Sequence, residues 1–161
     1  MSCRDAAMHT PLKYAVVERE RRFLVARIPD GVVEVRRITD RYLTASRLRL
    51  REVVTADGTR TRKLGQKIRL TADAGAIACT SLELDDAEWE LLQALPARTL
   101  HKTRHIVERD GLRLAVDELE DGTLLAEIDD RDSDPRPVPA WLEVIREVTA
   151  DERWTGGGLA R

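Results

Sequence analysis

Polar and apolar positions alternate with a period of two along most of this chain, which is the signature of β-strands with one polar and one aliphatic face. Residues 17–25, Val-Glu-Arg-Glu-Arg-Arg-Phe-Leu-Val, put Glu18, Glu20 and Arg22 on one face and Val17, Arg19, Arg21 and Phe23 on the other. Residues 47–51 alternate arginine with leucine. Residues 62–71 set Lys67 and Arg69 against Ile68 and Leu70, and 77–84 set Ser81 and Glu83 against Leu82 and Leu84. Residues 100–107 carry Lys102 and Arg104, 112–119 carry Arg113 and Asp117, and 123–129 carry Glu127 and Asp129, each opposed by aliphatics. Residues 32–39 suit either a short helix or a strand. Asp57-Gly58, Asp110-Gly111 and Asp121-Gly122 mark hairpin turns between these runs.

Helical signals are few. Asp85 or Asp86 caps a helix over 87–95, closed by Pro96, with Trp89, Leu92 and Leu95 on its apolar side. Residues 139–146 suit a short helix. Thr149 and Glu152 have capping-box spacing for a last helix around Trp154, which Gly156-Gly157-Gly158 would end or loosen. Residues 130–139 form an acidic, proline-rich loop, and Asp73-Ala74-Gly75 breaks a strand. The expected organisation is a short flexible leader over residues 1–13 and a single domain over 14–161.

Each strand alone could be an ordinary sheet strand with its charged face in water. The set argues otherwise. The charged faces hold blocks of one sign, bases at Arg49, Arg51, Lys67, Arg69, Lys102 and Arg104, and acids at Glu18, Glu20, Glu127 and Asp129. Few helices are on hand to cover the aliphatic faces. Closing the sheet into a barrel removes its edges and lines the lumen with charge. The expected fold is thus β-dominated α+β, an antiparallel eight-stranded barrel with a few covering helices.

Composition agrees with a globular but highly charged domain. The 161 residues are 42% hydrophobic and 35% charged, and the net charge of −2 hides 27 basic against 29 acidic residues. Cys3 and Cys79 have neither metal-ligand spacing nor a disulfide framework, which points to a reducing cytoplasm. No apolar run approaches the roughly 20 residues of a membrane span. Few aromatics are available for base stacking, which argues against nucleic acid. His9, His101 and His105 lack ligand-like spacing. The leucine-rich outer faces suggest a homodimer that covers part of the barrel.

A lumen of this kind suits a small polyanion and its metal. Arginine and lysine make charge-assisted bonds to phosphate oxygens. Clustered carboxylates suit a hard cation, Mg²⁺ or Mn²⁺. No Walker loop, dinucleotide-binding glycine loop, HExxH or GxSxG is present.

Glu18-x-Glu20-x-Arg22, followed by Phe23-Leu24-Val25, resembles the ExExK signature of the CYTH, or triphosphate tunnel metalloenzyme, superfamily. Later residues agree in order and spacing: Arg49-x-Arg51, Lys67, Glu83, Lys102-x-Arg104, Asp117, Glu127-x-Asp129, and a closing Glu147-Val148-Thr149 with Arg153 and Trp154 beyond. The resemblance implies a tunnel that binds triphosphates with a divalent metal, and most closely the short bacterial tripolyphosphatases. It assigns metal binding to Glu18, Glu20, Glu127 and Asp129, and extends that set to Glu83 and Asp117. Glu83 is equally suited to pairing with Lys67 or another base, and Asp117 to orienting a base. Phosphate binding falls to Arg22, Arg49, Arg51, Lys67, Lys102 and Arg104, with Arg69 and Arg153 added. Lys102 with Tyr42 matches a pair that helps to activate the attacking water, although Tyr42 is equally suited to packing. The chain departs from the pattern in four places: Arg22 for lysine, Ser81 for an acid, Asp40-Arg41 for Gln-Gly, and the triple glycine for lysine and asparagine.

The implied function is metal-dependent hydrolysis of a triphosphate, inorganic tripolyphosphate before nucleoside or thiamine triphosphates. A non-catalytic polyphosphate- or nucleotide-binding module and a class IV adenylyl cyclase-like activity are the alternatives.

Overall fold

The computed structural model describes residues 13–71, 76–130 and 134–161. Most of the expected leader, Cys3, His9, the Asp73-Ala74-Gly75 break and residues 131–133 of the acidic loop lie outside them. Ten strands follow in chain order: β1 Val16–Glu18, β2 Glu20–Val25, β3 Val32–Leu43, β4 Leu48–Thr55, β5 Arg60–Arg69, β6 Ile77–Glu83, β7 Ala97–Arg109, β8 Leu112–Leu119, β9 Leu124–Asp129 and β10 Val144–Glu147. Helix α1 (Asp86–Gln93) sits between β6 and β7. A 3-10 turn (Glu152–Trp154) and the single turn α2 (Gly156–Leu159) end the chain. Among the described residues no helix is long and apolar enough to cross a membrane.

All pairings are antiparallel, in the order β1-β6-β5-β4-β3-β7-β8-β9-β2-β10. The expected eight-stranded closed barrel is therefore not what the ladders form. They form an open sheet of ten strands, because the opening strand divides at Arg19 and residues 144–147 add a strand where a helix was expected. The division is informative. Glu18 pairs with Ile77 of β6 and Glu20 with Asp129 of β9. One residue thus separates positions near opposite ends of the sheet order, so the sheet must curl to bring β6 and β9 to either side of the same segment.

The turns follow from local chemistry. Asp110 and Gly111 both have positive φ, 51° and 73°, as the tight β7–β8 hairpin demands. Asp85 accepts from the Glu88 N–H while the Glu88 carboxylate accepts from the Asp85 N–H, which closes a capping box on α1.

Apolar residues pack on the convex face. Leu43, Leu50 and Trp89 form one cluster, in which α1 covers β3, β4 and β5. Phe23, Val25, Val107, Leu114, Val116, Ala126 and Ile128 form a larger one across β2, β9, β8 and β7. Its cover is not a helix but the segment before β10, through Leu142 and Trp141. Leu100 and Leu119 form a third cluster with Ala160, Tyr42 and Leu159 at one end of the concave face, and the rest of that face is left to the charges.

Candidate active site

The concave face encloses a cavity of about 380 Å³. Alternate positions on strand after strand reach it: Glu18 and Glu20, Arg22, Tyr42, Arg49 and Arg51, Lys67 and Arg69, Lys102 and Arg104, and Glu127. Arg47 continues the Arg49–Arg51 row one step beyond β4, and Glu152, Thr155, Gly156 and Gly157 bring the C-terminal segment to the cavity. Gly65 lies opposite Arg49 in the ladder, and the Arg49 guanidinium occupies the space beside its bare Cα.

The acids gather on one wall. Glu18 accepts from Lys67 Nζ at 2.8 Å, and Glu20 lies 3.6 Å from the same nitrogen. Glu127 accepts from Arg104 Nη2 at 2.5 Å. Burial together with the neighbouring Glu127 and Glu18 charges pushes the Glu20 carboxyl above its ordinary range, against Lys67 and Arg104. Burial would raise Glu127 too, but Arg104 and Lys102 override it and hold that carboxyl well below the ordinary range. Among the described residues, no three His, Cys, Asp or Glu side chains converge to hold a metal ion. The donor chemistry of Glu18, Glu20 and Glu127 suits a hard divalent cation, while Lys67, shared by the first two, and Arg104, on the third, already pair with them.

The bases rest on two deeply buried acids. Asp117, 1% exposed, accepts from Lys102 Nζ at 2.5 Å and from both fork nitrogens of Arg104 at 2.6 and 2.7 Å. Asp40, fully buried, accepts from Arg51 at 2.6 and 2.7 Å and lies 3.6 Å from Arg49 Nε. Burial and the adjacent Arg104 push the Lys102 amine below its ordinary value, although Asp117 opposes them. Burial and Asp40 push the Tyr42 hydroxyl up. Two guanidinium donors of the cavity-lining set, Nε of Arg22 and Nε of Arg49, are buried with no acceptor.

The C-terminal segment completes the site. Arg22 donates through its backbone N–H to Thr149 Oγ1 at 3.0 Å and through Nη2 to the Thr149 carbonyl at 2.7 Å. Arg69 donates to Glu152. Gly156 lies so close to Tyr42 that a Cβ there would fall 1.9 Å from the phenol oxygen. The triple glycine does not end a helix. It forms α2, capped by the Thr155 hydroxyl, and the 3-10 turn before it is capped by Asp151 rather than Thr149.

Not every expected residue reaches the cavity. Glu83, with its side chain 78% exposed, stands at the far end of β6 and lies 3.7 Å from Lys63. Arg153 points to solvent and pairs with Asp151. Asp129 is opposite Glu20 in the ladder but exposed at the end of β9. Asp117 faces the cavity side from beneath Lys102 and Arg104. Conversely, Arg47 belongs to the site without being among the expected residues, and its one signal is that it extends the Arg49–Arg51 alternation. Asp40, expected only as a departure from the family pattern, supports the site, and its spacing from Tyr42 puts the two on one strand face.

Among known proteins, no family model matches the chain, and no curated protein matches it significantly in sequence. Solved structures do match. The inorganic triphosphatase NE1496 is similar with a TM-score of 0.58 and 27% identity, over 89% of this chain and 93% of that one. A second structure of NE1496 gives 0.58 and 26% identity, over 89% and 97%. Conserved hypothetical protein Pfu-838710-001 from Pyrococcus furiosus gives 0.55 and 18% identity, over 73% and 81%, a likeness of fold alone. The chain therefore resembles the triphosphate tunnel metalloenzyme superfamily in structure as well as in motif.

Proposed function

We propose that this chain is a metal-dependent triphosphatase whose curled sheet acts as the tunnel, with inorganic tripolyphosphate as its preferred substrate. The observation that carries the reading is the make-up of the cavity, in which, among the described residues, eight cationic side chains face four carboxylates. That excess of positive charge, much of it on arginine forks, calls for an anion with many oxygens. The similarity to NE1496, an inorganic triphosphatase, supports the reaction class.

The lining favours an inorganic substrate over a nucleotide. Among the described residues, Tyr42 is its one aromatic residue and Ile77 its one large aliphatic, and these form no slot for a base. Arg22, Arg49, Arg51, Lys67 and Arg104 bind and align the phosphates. Lys102, held by Asp117, and Tyr42 orient and help to activate the attacking water. Glu18, Glu20 and Glu127 would hold Mg²⁺ or Mn²⁺, which when bound neutralises phosphate charge. Glu83 and Arg153, remote from the cavity, have no part in it.

The test is phosphate release from tripolyphosphate, ATP and thiamine triphosphate, each with Mg²⁺ or Mn²⁺. The proposal expects release that is fastest from tripolyphosphate and absent without metal. Tight binding with no release under either metal would make the chain a binding module, and cyclic nucleotide from ATP would make it a cyclase.

A further inference from the structure

We infer that Arg47 is the residue by which this cavity tells an inorganic triphosphate from an esterified one, by closing its fork on the outer end phosphate where that phosphate carries no ester. The inference rests on the triphosphatase reading. Seven of the eight cationic side chains that line the cavity are already held by an acid or a carbonyl of the protein. Arg47 is the eighth. It is exposed, and among the described residues its guanidinium has no hydrogen bond or ion pair. Its backbone is fixed nonetheless. The Ser46 hydroxyl donates to the Leu43 carbonyl at 3.0 Å and accepts from the Leu48 N–H at 3.1 Å, and the Thr44 N–H donates to the Pro96 carbonyl at 2.9 Å. A free guanidinium is thus mounted on a braced turn.

Its place in the row fixes which phosphate it meets. Arg51, Arg49 and Arg47 step outward along one strand face, about 6.5 Å per step. Side-chain exposure rises along the same path, from 6% at Lys102 through 18% at Arg51 and 20% at Arg49 to the open side chain of Arg47. A triphosphate whose reacting end lies by Lys102 and Arg51 therefore has its other end at Arg47. On the C-terminal side of that mouth Thr155, Gly156 and Gly157 bring no charge, and Arg69 is taken by Glu152. An end phosphate with a single link to the chain carries about −1.5 to −2 charge at pH 7 on three terminal oxygens. An ester takes one of those oxygens and about one charge. A guanidinium fork closes best on two oxygens that share the full charge. Esterified triphosphates, nucleotides included, keep the inner contacts and lose much of this one.

Inhibition kinetics of the full chain with Mg²⁺ test this. Methyl triphosphate differs from tripolyphosphate by one methyl ester at one end. It is read as a competitor of tripolyphosphate hydrolysis, so its own turnover is not needed. The wild type is expected to hold tripolyphosphate, read as KM, on the order of tenfold more tightly than methyl triphosphate, read as an inhibition constant. Arg47→Met is expected to raise KM for tripolyphosphate about tenfold and to leave the inhibition constant of methyl triphosphate within about twofold, so that the preference disappears. Arg47→Lys, with the charge but no fork, should fall between the two. A damaged fold weakens both ligands together and does not erase a preference between them. Equal losses for the two ligands in Arg47→Met would overturn the inference. So would an unchanged KM for tripolyphosphate, or a wild type that holds both ligands equally. If the wild type cleaves tripolyphosphate and gives one of these results, this inference alone fails. If it cleaves no tripolyphosphate with Mg²⁺ or Mn²⁺, the triphosphatase reading fails with it.

Discussion

Asp40 and Arg51 stand directly opposite one another on β3 and β4, and the arginine closes two fork nitrogens on the acid at 2.6 and 2.7 Å. With Arg49 Nε 3.6 Å from the same carboxylate, one fully buried anion holds two arginines of the cavity wall in place. Asp40→Asn keeps the shape and removes the charge, which sets two guanidinium groups against each other. The expected loss is about 3 kcal/mol of unfolding free energy at pH 7, the scale for stripping one partner from a buried ion pair. The sign with pH is fixed. Burial would raise the Asp40 carboxyl, but Arg51, Arg49 and Lys102 hold it below its ordinary 3.8. A lowered carboxyl contributes stability above its unfolded value and loses it as pH falls through the folded one. Urea unfolding across pH should show the full gap between wild type and variant at pH 7, and a gap that narrows below pH 3.8.

Lys102 separates chemistry from scaffolding. Its partner Asp117 keeps both fork nitrogens of Arg104 when the lysine is gone. Lys102→Met should therefore fold normally while kcat falls by about 10²- to 10⁴-fold, the usual contribution of a positioned acid–base group. Lys102→Arg should not restore it, because a planar guanidinium fork does not take the place of a compact ammonium on Asp117. Steady-state kinetics beside a thermal melt reads both.

The glycines of α2 give a graded test of the Tyr42 contact. A Cβ at Gly156 would meet the Tyr42 oxygen at 1.9 Å, whereas one at Gly157 would meet the ring at an ordinary 3.6 Å. Gly156→Ala should displace Tyr42, cost about 1–3 kcal/mol as overpacking does, and lower turnover. Gly157→Ala should do little of either. Melting curves and rates for the pair check this.

The strands were legible because polarity alternated and Asp-Gly pairs punctuated them. What was not legible depended on contacts distant in sequence. Nothing in the run 17–25 marks Arg19 as a break; the break exists because Glu18 and Glu20 pair with strands near opposite ends of the sheet order. The sequence predicts a short helix over 139–146, yet residues 144–147 pair with β2 as β10. Three consecutive glycines disfavour a helix by propensity, but Tyr42 leaves no room for a side chain at the first of them. At the site, charge and spacing revealed the acid and base rows. Alternation gives the face of a strand but not the end, so Glu83 matched the pattern and lies outside the cavity. Asp117 is found holding bases, the second of the two roles its position suits, whereas the supporting role of Asp40 is visible only with Arg51 and Arg49 in place.

Glu20 exemplifies a site that sacrifices stability for function. Its carboxyl is buried and crowded by Glu127 and Glu18. Glu20→Gln should stabilise the metal-free protein by about 1 kcal/mol, seen as a higher melting temperature, while removing turnover.

The most direct measurement of the central claim is a ³¹P NMR time course of tripolyphosphate with the wild-type chain and Mg²⁺. Water attacking a terminal phosphorus breaks its bridging P–O bond, so the account predicts equal amounts of pyrophosphate and orthophosphate, formed only when Mg²⁺ is present and not with Glu20→Gln. Tripolyphosphate that stays intact with Mg²⁺ and with Mn²⁺ would contradict it.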